Sequence, residues 1–376
     1  MTAIISRNVV VTGFVKSLSI CAIVLLAACA RDPDLIGIDN PEIPVASVAT
    51  ATKHKIFLAS TRQPTETAGV FFSEDRAPSL GLASVQVSIP PTHIVGELNR
   101  PKVLPPDPRT EYAVVDPVRF DSNGAFVAAV NAELAKRPRG ERDILFFVHG
   151  YNNTTSDAVL RLAQFVQDSD FQGVPVLFDW ASAANVTRYV YDMNSALIAR
   201  PQAIEIGKIL DQTIAEGYDV FAHSMGSLLV MEGMVDLAQR GELDDASRLR
   251  NVILASPDID MDLFRSQIAA LDAIKDRLYV LMSEDDKALS FSRRVAGGVP
   301  RVGASNAEEL AELGVFAIDL TDVDDSSSGT HSKFAGSPEV VELLGTALNN
   351  SSNFSARSRG IHLSDMLSGI PITVAF

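Results

Sequence analysis

The chain has 376 residues, 47% of them hydrophobic and 21% charged, with a formal net charge of −15 at pH 7. Nucleic-acid binding needs a basic footprint and broad attachment to anionic lipid surfaces needs clustered cations, so this acidic balance argues against both. The length suits one large α/β domain. The sequence contains no internal repeat, metal-ligand spacing or phosphate-binding glycine loop, and we therefore expect no metal and no cofactor.

The N-terminus has the pattern of an export signal. Arg7 and Lys16 precede an apolar stretch over residues 18–28, which is shorter than the about 20 residues of a transmembrane helix and fits a secretory signal. The stretch ends in Leu-Ala-Ala before Cys29, which resembles the lipobox of bacterial lipoproteins, where cleavage leaves a lipidated N-terminal cysteine. The alternative is an ordinary signal peptide followed by an accidental cysteine.

The number of cysteines favours lipidation. The chain has two cysteines, and since Cys21 lies inside the signal, Cys29 is left as an odd cysteine that lipidation explains. We predict a lipoprotein signal peptide over residues 1–28 and a lipidated, proline-bearing tether over residues 29–52. Ala30 after the cysteine favours, by the same resemblance, a lipid anchor in the outer membrane facing the periplasm over one in the inner membrane.

Strands and helices alternate along the rest of the chain. Residues 55–91 are rich in strand-forming residues and predict antiparallel strands at one edge of a sheet. Further on, strand-like runs at 143–148, 218–221, 251–255, 278–282 and 315–320 alternate with helical spacing at 125–134, 157–166, 204–214 and 338–344. Such alternation predicts a mostly parallel central sheet with helices on both faces. The C-terminal tail over residues 349–376 has an apolar end that would either dock on the domain or fray.

The sequence around Ser224 has the form of a nucleophile elbow. A strand-like run over 218–221 is followed by Ala-His-Ser-Met-Gly over 222–226 and then by a helix-forming stretch. The small Gly226 permits the sharp turn that projects the serine hydroxyl into a cleft, and Ala222 replaces the more usual glycine. A plain strand-to-helix turn is the alternative, and the partners that follow argue against it.

A nucleophilic serine needs a base, which follows it in the chain order Ser, acid, His. Beyond Ser224 the chain has two histidines, His331 and His362. His331 lies between the strand-like run at 315–320 and the helix at 338–344, whereas His362 lies in a Ser/Asn-rich tail and is interpreted as a surface residue. His331 is therefore the predicted base.

Two acidic clusters compete for the orienting acid. Carboxylates at the carboxyl ends of parallel strands lie where open α/β sheets form their sites, although acids are also common in loops and at helix N-termini. The later cluster contains Asp286, the predicted acid, with Asp285 as the near alternative. The earlier cluster contains Asp258, Asp260 and Asp262.

The oxyanion hole requires two backbone N–H groups. One is predicted from Met225, the residue after the nucleophile. The other is predicted from Tyr151, because the apolar strand at 143–148 is followed at once by His149 and Gly150, and Gly150 lets the backbone turn towards the site. His149 precedes the nucleophile in the chain, so we interpret it as bracing this loop rather than as the base.

Several of these motifs together resemble one known family. The segments that carry the resemblance are 57–62, 147–152, 178–182, 191–192, 222–226, 286–289 and 331–332. The chain resembles the bacterial α/β-hydrolase family of esterase/lipase-like envelope proteins, whose physiological role is largely undefined. Ala181 departs from the pattern, since a proline is commoner there. The resemblance implies an α/β-hydrolase domain over residues 53–348 and its chemistry, and leaves the substrate open.

We therefore predict a serine hydrolase that cleaves a carboxylic ester through an acyl-enzyme on Ser224 and is bound to the membrane through Cys29. The substrate would be a small-molecule or lipid ester, and the oligomeric state stays open. An acyltransferase with the same triad is an alternative, because water access decides the acceptor. A catalytically silent envelope scaffold is another, although such a scaffold would be expected to have lost at least one member of the set.

Overall fold

The computed structural model describes residues 31–243, 247–325, 330–349 and 372–375. The predicted signal peptide, the predicted lipidation site Cys29 and His362 lie outside these residues. No helix within the described ranges is long and apolar enough to cross a membrane.

The described residues form one ten-stranded sheet in the order β10-β9-β8-β7-β6-β4-β5-β1-β2-β3. The strands are β1 Thr52–Pro64, β2 Phe72–Ile89, β3 Ala113–Phe120, β4 Asp143–Val148, β5 Val174–Asp179, β6 Gly217–His223, β7 Leu249–Ala255, β8 Leu278–Met282, β9 Phe316–Asp319 and β10 Thr373–Ala375. Every pairing from β1 across to β9 is parallel, while β2 pairs antiparallel with both β1 and β3. The prediction of a mostly parallel sheet with antiparallel strands at its N-terminal edge is confirmed.

Helices cover both faces of the sheet. They are α1 Asn123–Leu134, α2 Thr155–Asp168, α3 Tyr189–Leu210, α4 Met225–Gln239, α5 Met261–Ala269, α6 Lys287–Val295, α7 Ala307–Glu312, α8 Lys333–Gly336 and α9 Pro338–Asn349. One buried cluster joins the sheet to α1, α3, α4, α5 and α7, and a second joins its other face to α2, α8 and α9. The central strands β4 and β5 are buried along their whole length, as expected for strands covered on both faces.

Local capping explains where the helices nearest the site begin. Thr154 and Asp157 form a capping box at the start of α2, and Asp286 caps α6 by accepting the N–H of Leu289 at 2.9 Å. Both helices follow strands of the parallel sheet, so their N-termini lie at its carboxyl edge. That edge also carries the turn at Ser224.

The described stretch after Cys29 differs from the predicted tether. Leu35 is fully buried and Ile36 is 4% exposed in the cluster around β2 and β3. Their backbone is also held, since Leu35 N–H donates to Ser156 Oγ at 3.2 Å and Gly37 N–H to the Val114 carbonyl at 2.8 Å. Residues 31–51 are therefore part of the domain and not a free linker, because burying these two side chains outweighs the polar, proline-bearing composition.

The apolar C-terminal end docks on the sheet. Thr373–Ala375 forms β10, which pairs antiparallel with β9 in the register Val374 to Ile318. Of the two alternatives for this end, docking is the one found. Residues 350–371, which make up most of the predicted tail, lie outside the described part of the chain.

Candidate active site

Ser224 lies at a strained turn between β6 and α4. Its backbone dihedrals are φ 54° and ψ −124°, a region that side-chain-bearing residues rarely adopt. Two contacts require glycine around it. A Cβ built on Gly226 would lie 2.4 Å from the His149 carbonyl oxygen, and one built on Gly150 would lie 2.8 Å from Ser224 Cβ. The loop after β4 therefore packs directly against the serine.

The structure brings His331 and Asp286 together. His331 Nδ1 lies 2.7 Å from Asp286 Oδ2, and the carboxylate is fully buried while the imidazole side chain is 20% exposed. Because Asp286 Oδ1 caps α6, the carboxylate is fixed at both oxygens. A carboxylate accepts, so His331 Nδ1–H is the donor in this hydrogen bond.

His223 holds the His331 backbone next to the elbow. His223 Nε2–H donates to the His331 carbonyl at 3.0 Å, and the two rings lie 4.8 Å apart. Burial and the neighbouring His331 lower the pKa of His223 well below its ordinary value, which keeps it neutral. Since His223 immediately precedes Ser224, this bond places the His331 backbone beside the elbow. Sequence analysis recorded His223 only as the variable position of the pentapeptide.

The other predicted acids have different partners. Asp285 is bound by Lys333 at 3.0 Å and by the Ser283 hydroxyl, and although burial opposes it these hydrogen bonds lower the pKa of Asp285. Asp258 is buried and accepts from Ser292 Oγ at 2.5 Å and Tyr189 at 2.9 Å. Asp260 caps α5, and Asp262 forms an exposed ion pair with Arg265. None of these four carboxylates contacts His331 in the described structure.

The two predicted oxyanion donors lie on the elbow helix and on the loop that packs against the elbow. Met225 is the first residue of α4, and N–H groups at that position have no intrahelical acceptor. Within the described residues the Tyr151 N–H donates no hydrogen bond. The carbonyls of Gly150 and Tyr151 are held by Asn153 Nδ2 at 3.0 and 2.8 Å, which turns the acceptors of this loop towards Asn153.

His149 holds the loop after β4 in place. Its Nδ1 lies 2.8 Å from the Gly150 carbonyl and its Nε2 3.1 Å from the Trp180 carbonyl, while Trp180 Nε1–H donates to the His149 carbonyl at 2.7 Å. The two rings stack 5.0 Å apart. With both ring nitrogens directed at carbonyl oxygens, His149 holds the loop in place, and its side also lines the cavity described below.

A buried ion pair that sequence analysis missed completes the brace. Arg62 Nε–H donates to Asp179 Oδ1 at 2.8 Å, and its other nitrogens donate to the carbonyls of Ser182 and Asn153, each at 2.8 Å. Although burial opposes ionisation, Arg62 and a hydrogen bond from His149 hold the pKa of Asp179 at about 2. A partial indication of this ion pair was present in the sequence, because Arg62 and Asp179 both lie in segments that carry the family resemblance.

A cavity of ≈ 200 Å³ opens beside these groups. Its lining includes His149, Gly150, Tyr151, Asn152, His223 and His331, with Arg161 at one wall, while Ser224 lies outside the lining. A larger, mostly apolar cavity of ≈ 440 Å³ lies between α3 and α4, and its lining contains none of the predicted site residues. No group of three or more metal-ligating side chains occurs among the residues that the structure describes.

The chain belongs to a family of α/β-hydrolases of unknown function (DUF900), whose model matches residues 122–347. The match includes the elbow at Ser224, the acid cluster at 285–286 and His331. The chain is thus an α/β-hydrolase by both fold and family. No curated protein is similar enough in sequence to count as a match.

Among solved structures, the chain is similar to an esterase from Pyrobaculum calidifontis, with 12% identity over 72% of this chain and 81% of that one and a TM-score of 0.34. A fungal esterase from Rhizomucor miehei shares 11% identity over 86% and 87% of the chains, with a TM-score of 0.34. Phospholipase PlaB from Legionella pneumophila, in complex with thio-NAD, shares 19% over 44% of each chain, with a TM-score of 0.29. At these values the likenesses carry no information on substrate.

Proposed function

We propose that the protein is a serine hydrolase that cleaves a carboxylic ester through an acyl-enzyme on Ser224. The observation that carries the proposal is the buried Asp286–His331 pair, joined through His223 to a serine at φ 54°. A strained serine beside an oriented imidazole is the arrangement that activates a hydroxyl for acyl transfer.

In the proposed reaction, Ser224 Oγ attacks the ester carbonyl carbon while His331 Nε2 takes the hydroxyl proton. The negative charge on the carbonyl oxygen is held by the N–H groups of Tyr151 and Met225. His331 then gives its proton to the departing alcohol as the ester C–O bond breaks. Water attacks the acyl-enzyme by the same route, which releases the acid and restores Ser224. Asp286 stabilises the imidazolium in both halves.

Labelling with a fluorophosphonate tests the nucleophile, because this reagent reacts with activated serines. Wild type should be labelled and Ser224→Ala should not. Ser227→Ala is the matched control, since Ser227 is buried one turn away and its hydroxyl donates to the Ala222 carbonyl at 3.1 Å. Labelling that survives in Ser224→Ala would remove Ser224 as the nucleophile, and an unlabelled wild type would support a silent scaffold.

We also propose that Cys29 is lipidated and anchors the enzyme in the bacterial outer membrane, facing the periplasm. The support is the sequence Leu-Ala-Ala-Cys at the end of a signal-like stretch and the lack of another cysteine outside that stretch. Metabolic labelling with a palmitate analogue should mark wild type and not Cys29→Ser. Membrane fractionation of the labelled protein then separates the outer from the inner membrane.

A further inference from the structure

The described chain begins beside the ≈ 200 Å³ cavity lined by His223 and His331. We call it the catalytic cavity, because the proposed function places the reaction there. Arg31 forms an ion pair with Asp157 of the α2 capping box and donates to the Ala184 carbonyl. It also donates to the Asn152 carbonyl at 3.4 Å, and Asn152 lines the catalytic cavity. Buried Leu35 fixes the following residues, so the position of Arg31 is set by the domain and not by a linker.

This position limits how far a lipid on Cys29 can lie from the site. Consecutive Cα atoms are 3.8 Å apart, so Cys29 lies no more than about 8 Å from Arg31. Acyl chains on a lipidated Cys29 would enter the hydrocarbon core and would place residue 29 in the headgroup layer, roughly 5–7 Å thick on each side. Such an anchor would hold the loop that carries Asn152 at the bilayer surface.

The same rim exposes apolar side chains. Val186 is 61% exposed and Val190 58% exposed. Val186 belongs to the cavity mouth, because the Tyr151 hydroxyl donates to the carbonyls of Val186 and, at 3.3 Å, Asn185. We call residues 184–190 the rim segment. Exposed valines next to a catalytic cavity fit insertion into the headgroup layer, where apolar area adds to the affinity of a lipid anchor.

Acidic groups near the anchor are neutralised by neighbouring cations. Asp32 is paired with Lys102 at 2.8 Å and lies 3.7 Å from Arg100, and Asp157 is shared by Arg31 and Arg100. Asp32 and Asp157 therefore add no unpaired negative charge to this part of the surface. A bilayer can approach the rim segment without meeting unpaired carboxylates at these positions.

We infer that the catalytic cavity faces the bilayer in which Cys29 is anchored, with Val186 and Val190 in the headgroup layer, and that the ester cleaved is an acyl ester of a membrane lipid. This inference rests on the proposed function and on lipidation of Cys29, and it adds the orientation and the substrate class. The short reach from Cys29 to Arg31 presents the cavity to lipid and not to the bulk solvent.

Site-directed fluorescence tests the orientation. The chain has two cysteines, one in the predicted signal and one that would carry lipid, so an introduced cysteine is a unique labelling site. The full lipidated protein carrying Val186→Cys or Val190→Cys is labelled with a fluorophore and placed in vesicles containing headgroup spin-labelled lipid. Ile214→Cys is the matched control, since Ile214 is 45% exposed and precedes β6, at the opposite edge of the parallel strands.

We expect the spin label to quench positions 186 and 190 severalfold more than position 214. Equal quenching at the three positions, or stronger quenching at 214, would overturn the orientation. A Cys29 that carries no lipid would also overturn it. This measurement does not depend on catalysis, so it stands apart from the test of Ser224.

The substrate class is tested by two assays on the same lipidated protein. One follows a soluble ester, p-nitrophenyl butyrate, and the other follows fatty-acid release from vesicles of phosphatidylethanolamine and phosphatidylglycerol. The variant Val190→Asp should lose vesicle hydrolysis severalfold and keep soluble-ester turnover, while Ile214→Asp keeps both. Wild type that cleaves the soluble ester but not the lipid would overturn the inference and leave the proposed function intact. Wild type that cleaves neither would remove the proposed function.

Discussion

Arg62 and Asp179 form an ion pair whose side chains are 1% and 0% exposed, and it links β1 to the end of β5. Arg62→Met should cost roughly 3–5 kcal/mol of unfolding free energy, because it leaves a buried carboxylate without its cation. The Asn153 carbonyl also loses its donor, so ester turnover should fall in the fraction that remains folded. Urea denaturation and kcat measure the two effects.

Lys136→Met is the control for this change. Lys136 pairs with Glu133 on the surface of α1 and is 67% exposed. Pairs of this kind contribute about 0.2–0.5 kcal/mol. A similar loss of unfolding free energy in both variants would contradict the stabilising role of the Arg62–Asp179 ion pair.

Asp286→Asn and Asp285→Asn separate the two adjacent acids. Asparagine still caps α6 at position 286 but cannot stabilise the His331 imidazolium, so kcat should fall by the order of 10⁴ seen when a triad acid is neutralised. Asp285→Asn weakens the contacts with Lys333 and the Ser283 hydroxyl, and should stay within a few-fold of wild type. Steady-state turnover of a soluble ester measures both, and the reverse ranking would assign the acid to Asp285.

Asp219 should make stability fall as the pH rises. Burial, with a contribution from the nearby Asp143, raises the pKa of Asp219 to about 7 despite a hydrogen bond from Asn251 at 2.6 Å. The unfolded chain releases this proton near pH 4, so between about pH 4 and 7 the folded state binds more protons and loses stability with increasing pH. The loss should be complete above pH 7.

Asp219→Asn checks this dependence. The amide resembles the protonated acid, so the variant should be closest to wild type near pH 4 and be more stable by a few kcal/mol at pH 8, at about 1.4 kcal/mol per pKa unit. Denaturant titrations at the two pH values measure the difference. A variant that is equally destabilised at both would show that the carboxylate is ionised and paired in the folded state.

Gly226→Ala should abolish fluorophosphonate labelling, because the added methyl would lie 2.4 Å from the His149 carbonyl oxygen and would force the elbow away from the loop. Gly233→Ala lies further along the same helix, and nothing lies within 4 Å of its added Cβ. The control should keep labelling and gain up to about 1 kcal/mol of stability from helix propensity. Labelling of both variants at the wild-type rate would contradict the close packing.

Residues 31–51 should be needed for a stable domain. A form of the protein that begins at Thr52 loses buried Leu35 and Ile36, and should unfold at lower denaturant than one that begins at Arg31. Leu35→Ala isolates the packing term and should cost about 2–5 kcal/mol. Val103→Ala, at a side chain that is 75% exposed, should cost almost nothing. If the forms that begin at Arg31 and at Thr52 were equally stable, residues 31–51 would be a free tether, as the sequence predicted.

The sequence by itself determined the features that depend on consecutive residues. The alternation of apolar runs predicts the parallel sheet, because burial on both faces requires apolar strands. The elbow at Ser224 is likewise local, since small neighbours are needed for a turn at φ 54°. The His331 prediction followed from chain order and from the elements that frame it.

Only the tertiary structure decided the relationships between distant residues. Asp285 and Asp286 are adjacent in sequence, and what separates them is that one contacts Lys333 and the other His331, both more than forty positions away. The contact between Arg62 and Asp179, the packing of residues 31–51 and the pairing of β10 have the same origin. Local patterns fix dihedral angles and periodic burial, whereas the partner of a side chain is set by where the whole chain places it.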